Sequence, residues 1–347
     1  MSSNKQYIKI LTKDLVHRNY QWKFGLNEIE VFNDKKKCTS NALYVCEIKD
    51  FFKWIQLYIN TSYVGYVTIP EDAQIVIMED KIKTNKVILH EPLITLVDFI
   101  SIAITNNANI HALGDLPLRW ASEYGYLDVV ECLIKNGADI HALDDRALYL
   151  ACVHGNLDII EYLIKNGADI HAKNDTAIVS ASRYGRLDVV ELLIKYGANI
   201  HSQREMSLWN AATNGNLTMM ECLIKHGVNP HIYDDEIFRW VSSNGCLKSV
   251  KYLIEHGADI HAKNDIALIN ASAHGHLYIV EYLIENGADI HACDDYALRK
   301  ASEYGQLDII KYLVEHGANA HAKNDQALRN AVSMGHVKIV EYLQQII

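Results

Sequence analysis

Eight glycines, Gly125, Gly155, Gly185, Gly215, Gly245, Gly275, Gly305 and Gly335, stand thirty residues apart without a slip. Two more tracks share the period, glycines from Gly137 to Gly317 and histidines from His111 to His321. A fixed period of this length marks a stacked array, in which each unit buries its apolar face only against its neighbours. Function then falls on a surface spread over several units, which favours binding over catalysis.

One unit, Arg146 to Asp175, reads RALYLACVHGNLDIIEYLIKNGADIHAKND. Ala147, Leu148, Ala151 and Cys152 have helical spacing, with small residues that admit a neighbouring helix. Gly155 stops that helix, because only glycine takes a left-handed C-terminal position cheaply. A second helix starts at Leu157–Asp158, where the aspartate suits the positive end of the helix dipole. Leu157, Ile160, Leu163 and Ile164 give it one apolar stripe, Gly167 ends it, and 168–175 is a turn-rich crossing. Neither helix reaches the roughly 12–15 residues that an isolated helix needs in water.

These residues resemble the ankyrin repeat family. GxLDVVExLIKNGADIHA at 125–142 and GxLDIIEYLIKNGADIHA at 155–172 are similar to its second helix and loop, with histidine where the family usually places asparagine. The thirty-residue unit with GADIHAKND is similar to ankyrin proteins of giant amoeba-infecting, mimivirus-like DNA viruses. The resemblance implies an α-helical ankyrin solenoid of helix-pair repeats. Family units run about 33 residues and open with Thr-Pro-Leu-His. Here Ala147–Leu148, Ala177–Ile178 and Ala267–Leu268 stand at that place, so the projecting β-hairpin finger should be shortened. Eight repeats are expected, at 116–145, 146–175, 176–205, 206–235, 236–265, 266–295, 296–325 and 326–347. A degenerate capping repeat at 91–115 precedes them, with Asn107 in place of the glycine. The apolar Ile346–Ile347 end shows no polar cap, which leaves weak end-to-end self-association open.

Residues 1–90 lack the period and read as a small α+β domain of unknown function. Strands are expected at Tyr63–Ile69 and Ala73–Met78 around Pro70-Glu71-Asp72, another at Lys86–Leu89, and a helix over Asp50–Asn60. Phe24-Gly25-Leu26-Asn27, Cys38 and Val67–Val76 resemble a domain that precedes repeats in giant-virus and phage proteins, a likeness that brings no activity with it.

Residues 1–90 hold 13 Lys+Arg against 10 Asp+Glu, a balance of +3, which leaves −13 on residues 91–347 of the chain's −10. An acidic array is not drawn to phosphate backbones, so no nucleic acid is expected on the repeats. Lys35-Lys36-Lys37, the one basic run, reads as a solvated loop. There is no apolar run long enough to span a membrane and no secretory leader. The seven cysteines are odd in number and not spaced for zinc, which suits packing residues in a reducing compartment. Cytoplasmic location is expected, in the host cell if the protein is viral, with the virion as an alternative.

The histidine ladder invites a metal reading. Stacked helices lie roughly 8–10 Å apart, whereas two zinc-bound nitrogens each lie about 2.0–2.1 Å from the ion. No metal is therefore expected, nor any cofactor. Each imidazole should instead bond backbone groups of the adjoining loop, as the family's asparagine does. Several histidines charging together would loosen the array in mild acid.

Within the chain, the framework positions hold while two regions vary. One is the loop tip, as in Leu143-Asp144-Asp145, Lys173-Asn174-Asp175 and Gln203-Arg204-Glu205. The other is the face of the first helix, with Trp120, Tyr124, Tyr149, His154, Tyr184, Trp209, Trp240, His274 and Tyr304. In the ankyrin family these regions line the concave, partner-binding face. The resemblance therefore implies a module that binds a host or viral protein, with tryptophan and tyrosine as anchors. The bland alternative places Trp120, Trp209 and Trp240 between units as packing. Unit five, with Phe238, Val241 and Lys248 and with Pro230 ahead of it, is either a local bend or the centre of a contact. Two other functions stay open. One is a ubiquitin-ligase adaptor that recruits substrates through its N-terminal domain. The other is an enzyme with its site in residues 1–90 around His17, Cys38 or His90, although the chain has no phosphate loop, HExxH, GxSxG or paired CxxC.

Overall fold

A computed structural model describes residues 6–12, 15–17, 20–29, 43–55 and 62–346. The chain divides into two compact units, Met1–Lys173 and Asn174–Ile347.

The first unit opens with a sheet. Its strands are β1 (Tyr7–Thr12), β2 (Val16–His17), β3 (Tyr20–Gln21), β4 (Gly25–Glu28), β5 (Leu43–Glu47), β6 (Ser62–Thr68), β7 (Ile75–Ile77), β8 (Ile82–Thr84), β9 (Lys86–Leu89) and β10 (Ile94–Thr95). Eight of them form one sheet in the order β4-β9-β6-β1-β5-β8-β7, with β10 also on β6, while β2 and β3 pair separately. β1 is central, running antiparallel to β5 and to β6. Leu11, Trp22, Leu43, Val45, Val67, Ile82, Val87 and Leu89 form its core.

Three expectations for this domain change. The strands around Pro70 are not neighbours, because β7 pairs with β8 and β6 lies between β1 and β9. β1 and β5 arise where no strand is expected. The helix expected over Asp50–Asn60 is a 3-10 turn at Ile48–Lys53, and residues 56–60 lie outside the described residues.

That 3-10 turn joins sheet to array. The helix α1 (Leu96–Thr105) lies within the stretch read from the sequence as a capping repeat, and it is capped by Thr95, whose hydroxyl oxygen accepts the Asp98 N–H. Asn107 follows it with φ 60, the left-handed conformation that glycine supplies elsewhere. Phe99 of α1 packs edge-on against Phe51 of the 3-10 turn at 5.1 Å and faces Tyr66 of β6 at 6.0 Å. The N–H of Asn109 donates to the Lys49 carbonyl at 3.2 Å. The 3-10 turn packs on α2 (Ala112–Tyr124), where later units receive the first helix of the preceding unit. The sheet domain therefore caps the array.

From there the chain is helix pairs. Stretches such as Ala142–His154 and Ala262–His274 alternate with nine-residue second helices such as Leu157–Lys165 and Leu277–Glu285. Gly155 closes its first helix at φ 84, a left-handed cap. Of the stripe read from the period, Ile160 and Leu163 have no exposed surface and lie in the core with Ile159, whereas Leu157 and Ile164 are half-buried at its edge. Unit five conforms, with Phe238 and Val241 fully buried.

Candidate interaction surface

The crossing between units is neither extended nor a β-hairpin. After His141, residues Leu143, Asp144 and Asp145 have φ 55, 57 and 55, one left-handed turn of three non-glycine residues. The same turn recurs at Lys263, Asn264 and Asp265 and at Cys293, Asp294 and Asp295. Each such residue costs about 1–2 kcal/mol relative to a right-handed one, so the turn needs strong local bonding.

The histidine ladder supplies part of it. His141 Nδ1 lies 3.2 Å from Asp145, His231 Nδ1 2.7 Å from Asp235, His261 Nδ1 3.1 Å from Asp265 and His291 Nδ1 3.0 Å from Asp295. These rings meet the carboxylate that ends the turn, and the backbone partner expected from the sequence is found at His231, whose Nε2 lies 3.0 Å from the His256 carbonyl.

The same carboxylate is buried and reaches forward into the next unit. Asp115 accepts the Asp139 N–H at 2.8 Å, Asp145 that of Asp169 at 2.7 Å and Asp175 that of Asn199 at 2.8 Å. Asp265 and Asp295 do the same for Asp289 and Asn319. Glu205 departs from this pattern. Its Oε1 meets His201 at 2.8 Å, but Oε2 is buried without a hydrogen-bond partner.

Arginines supply a second brace. Arg119 donates from Nε to the Gly114 carbonyl at 2.9 Å and from Nη2 to the Leu113 carbonyl at 2.6 Å. Arg239 grips the carbonyls of Asp234 and Tyr233 at 3.0 and 3.1 Å, and Arg299 those of Asp294 and Cys293 at 3.0 and 2.6 Å. Arg329 does the same to Asn324 and Lys323. The signal was present in the sequence as an arginine four residues after the turn aspartate.

The loop tips pair with one another along the array. Lys173 meets Asp144 at 3.1 Å, Lys263 meets Asp234 at 2.6 Å and Lys323 meets Asp294 at 2.8 Å. The Lys263 and Lys323 ammonium groups hold the Asp234 and Asp294 carboxyls below the usual carboxylate range. Where the tip carries Arg204, the next unit presents Tyr233, with the guanidinium 4.5 Å from the ring centre. Part of the tip variation is therefore complementarity between neighbouring repeats.

The first-helix residues separate by burial. In the first unit Trp120 is 2 % exposed, stacked on Tyr126 at 5.1 Å, so it is core and cannot face a partner. Tyr124 lies beside it at the surface, and half-buried Tyr149 carries the Arg146 guanidinium 4.2 Å above its ring. His154 Nε2 sits 3.7 Å from the Glu123 carboxylate. In the second unit Tyr184 and Tyr304 are each 55 % exposed and Trp240 is 48 % exposed. Trp209 is half-buried against Trp240 at 5.4 Å. Exposed His274 stacks near Tyr304 at 6.5 Å. Tyr278, 74 % exposed, was missed; it stands where sister units carry the helix-start aspartate.

Of the residues considered for an active site, His90 Nε2 bonds the Thr68 hydroxyl at 2.7 Å. Cys38 and the His17 side chain lie outside the described residues. Among the described residues no three His, Cys, Asp or Glu side chains are grouped to hold a metal ion. No helix is long and apolar enough to cross a membrane, among the same residues.

A family model described as ankyrin repeats (3 copies) matches residues 118–204, 208–294 and 268–346. The chain belongs to the ankyrin repeat family. It is 30 % identical over 135 residues to the ankyrin repeat protein R868 of Acanthamoeba polyphaga mimivirus, covering 37 % of this chain and 66 % of that protein. It is 32 % identical over 133 residues to uncharacterized protein R869 of the same virus, covering 37 % of this chain and 96 % of that protein. Ankyrin repeats are generic protein–protein interaction modules, and membership points to a binding scaffold rather than an enzyme.

Proposed function

We propose that this ankyrin repeat protein binds a host or viral protein along the face formed by its first helices, the face that is concave in the family. The observation that supports this reading most is the exposure of Tyr184, Trp240, His274 and Tyr304, since tryptophan and tyrosine are the side chains that most often anchor interfaces. The loop tips, many of them paired in-chain, make a rim around that face. Binding acts in the cytoplasm of an infected cell, by analogy with the amoebal virus that carries the relatives, or from the virion. The N-terminal domain acts first as a cap, and no specific observation favours a ligase adaptor or an active site in it.

Affinity capture from amoebal lysate, with the full chain as bait, tests the reading. The control bait carries Tyr184→Ala, Trp240→Ala and Tyr304→Ala together, matched for melting temperature. A protein held by the first bait and lost by the second is the expected result. Capture unaffected by the three substitutions overturns the assignment of this face.

A further inference from the structure

The arginine brace has a complement in units that lack it. At the position of Arg119, Arg239, Arg299 and Arg329, the sister unit at 266–295 carries Ile269. Its turn has the same left-handed geometry, with Lys263 at φ 54 and Asn264 at φ 58. By the spacing of the four braced turns, the carbonyls of Lys263 and Asn264 are the two that a guanidinium would grip, six and five residues before Ile269. Among the described residues, no side chain donates to them.

We propose that the Lys263–Asn264 turn is a docking site for an arginine side chain of the partner protein. The chain itself shows what this carbonyl pair binds. Two parallel N–H groups of one planar guanidinium, at 2.6–3.1 Å, meet it in the turns braced by Arg119, Arg239 and Arg299. A lysine presents a point charge and cannot reproduce that fork.

Access and charge both suit the site. Lys263 and Asn264 are exposed and border an open cleft of about 590 Å³, whose walls include Asp234 and Asp259. The local cation, Lys263, is neutralised by Asp234 at 2.6 Å, so it does not repel an incoming guanidinium. Other unbraced turns are less open to one, and in the Lys173–Asn174 turn Gln203 already donates to the Asn174 carbonyl at 3.0 Å. Arg204 places its own charge in the Gln203–Arg204 turn, and Arg146 already lies 4.2 Å above Tyr149 beside the Leu143–Asp144 turn. The acidic balance of the array draws a basic partner toward it.

This inference deepens the protein-binding reading by naming the chemistry of one contact, and its test uses a tripeptide, so it can fail while that reading stands. The nitrogen-15-labelled full chain is titrated with acetyl-Gly-Arg-Gly-amide, and with acetyl-Gly-Lys-Gly-amide for comparison. The amide resonances of residues 263–265 are expected to shift and saturate with the arginine peptide, and to need about tenfold more of the lysine peptide. Those of residues 293–295, whose carbonyls Arg299 holds, stay still. Ile269→Arg supplies the missing brace and abolishes the response at 263–265. Arg299→Leu is the converse variant and creates a response at 293–295, which keeps the test decisive should Ile269→Arg fail to fold. Equal response to the two peptides, no response at 263–265, or no gained response in Arg299→Leu overturns the proposal.

Discussion

The Asp145 carboxylate lies 2.7 Å from the backbone nitrogen of Asp169, twenty-four residues further on. The same carboxylate is gripped by His141. One side chain thus closes a strained turn and ties its unit to the next. This pair of hydrogen bonds explains why histidine and aspartate recur four residues apart with the period of the array.

Glu205 should be the weak link, because its longer side chain leaves one buried oxygen without a partner. Glu205→Asp is expected to raise stability by about 1 kcal/mol, and Asp265→Ala to lower it by about 1–3 kcal/mol. Urea unfolding of the two variants checks both signs. A destabilised Glu205→Asp protein would mean that the glutamate fits its site better than its bonding implies.

Burial separates the tryptophans. Trp120→Ala removes a fully packed ring and should cost about 3–5 kcal/mol. Tyr184→Ala and Tyr304→Ala, on exposed rings, should stay within about 0.5 kcal/mol of the parent. Thermal melts of the three variants distinguish core from contact surface.

The tip pairs predict a pH-dependent difference. Lys263 lowers the folded-state value of Asp234, so the pair's contribution is present above the ordinary carboxylate range and is lost as pH falls through the lowered value. Asp234→Asn should therefore melt below the parent at neutral pH, with the gap closing in strong acid. Salt should narrow it too, since the pair is at the surface. A gap that persisted in acid would assign the effect to something other than charge.

Thiol chemistry should follow exposure. Burial pushes the Cys46 thiol up to about 12, and it raises Cys152 as well, so neither should react with Ellman's reagent before unfolding. Cys293 is exposed and should react in the native protein. Peptide mapping after a brief exposure to the reagent identifies which cysteine was labelled.

The array was legible because its signals are local. Gly155 and Leu163 announce helix end and core stripe within a few residues. Asn107 could be aligned with the glycine track, and it takes the left-handed conformation. What the sequence hid depends on shape. The arginine fork needs a turn of opposite hand, and nothing in Lys-Asn-Asp or Leu-Asp-Asp announces three consecutive positive φ values. Trp120 looked like an anchor because its pattern matches a helix face, whereas Tyr126 of the same unit covers it. In the sheet domain β6 and β7 are adjacent in sequence but not in space. Strand order is set by long-range pairing that alternation alone does not encode.

Apart from the one with Glu205, each unit carries its own histidine and aspartate, together with a backbone N–H for the unit before, so a copied unit brings a working joint wherever it is inserted. The tips are less permissive. A copy placed after Asp234 must offer a lysine like Lys263 first, or the seam is mismatched. Gene duplication can therefore lengthen such an array freely at its buried joints, while the tips record which neighbours have evolved together.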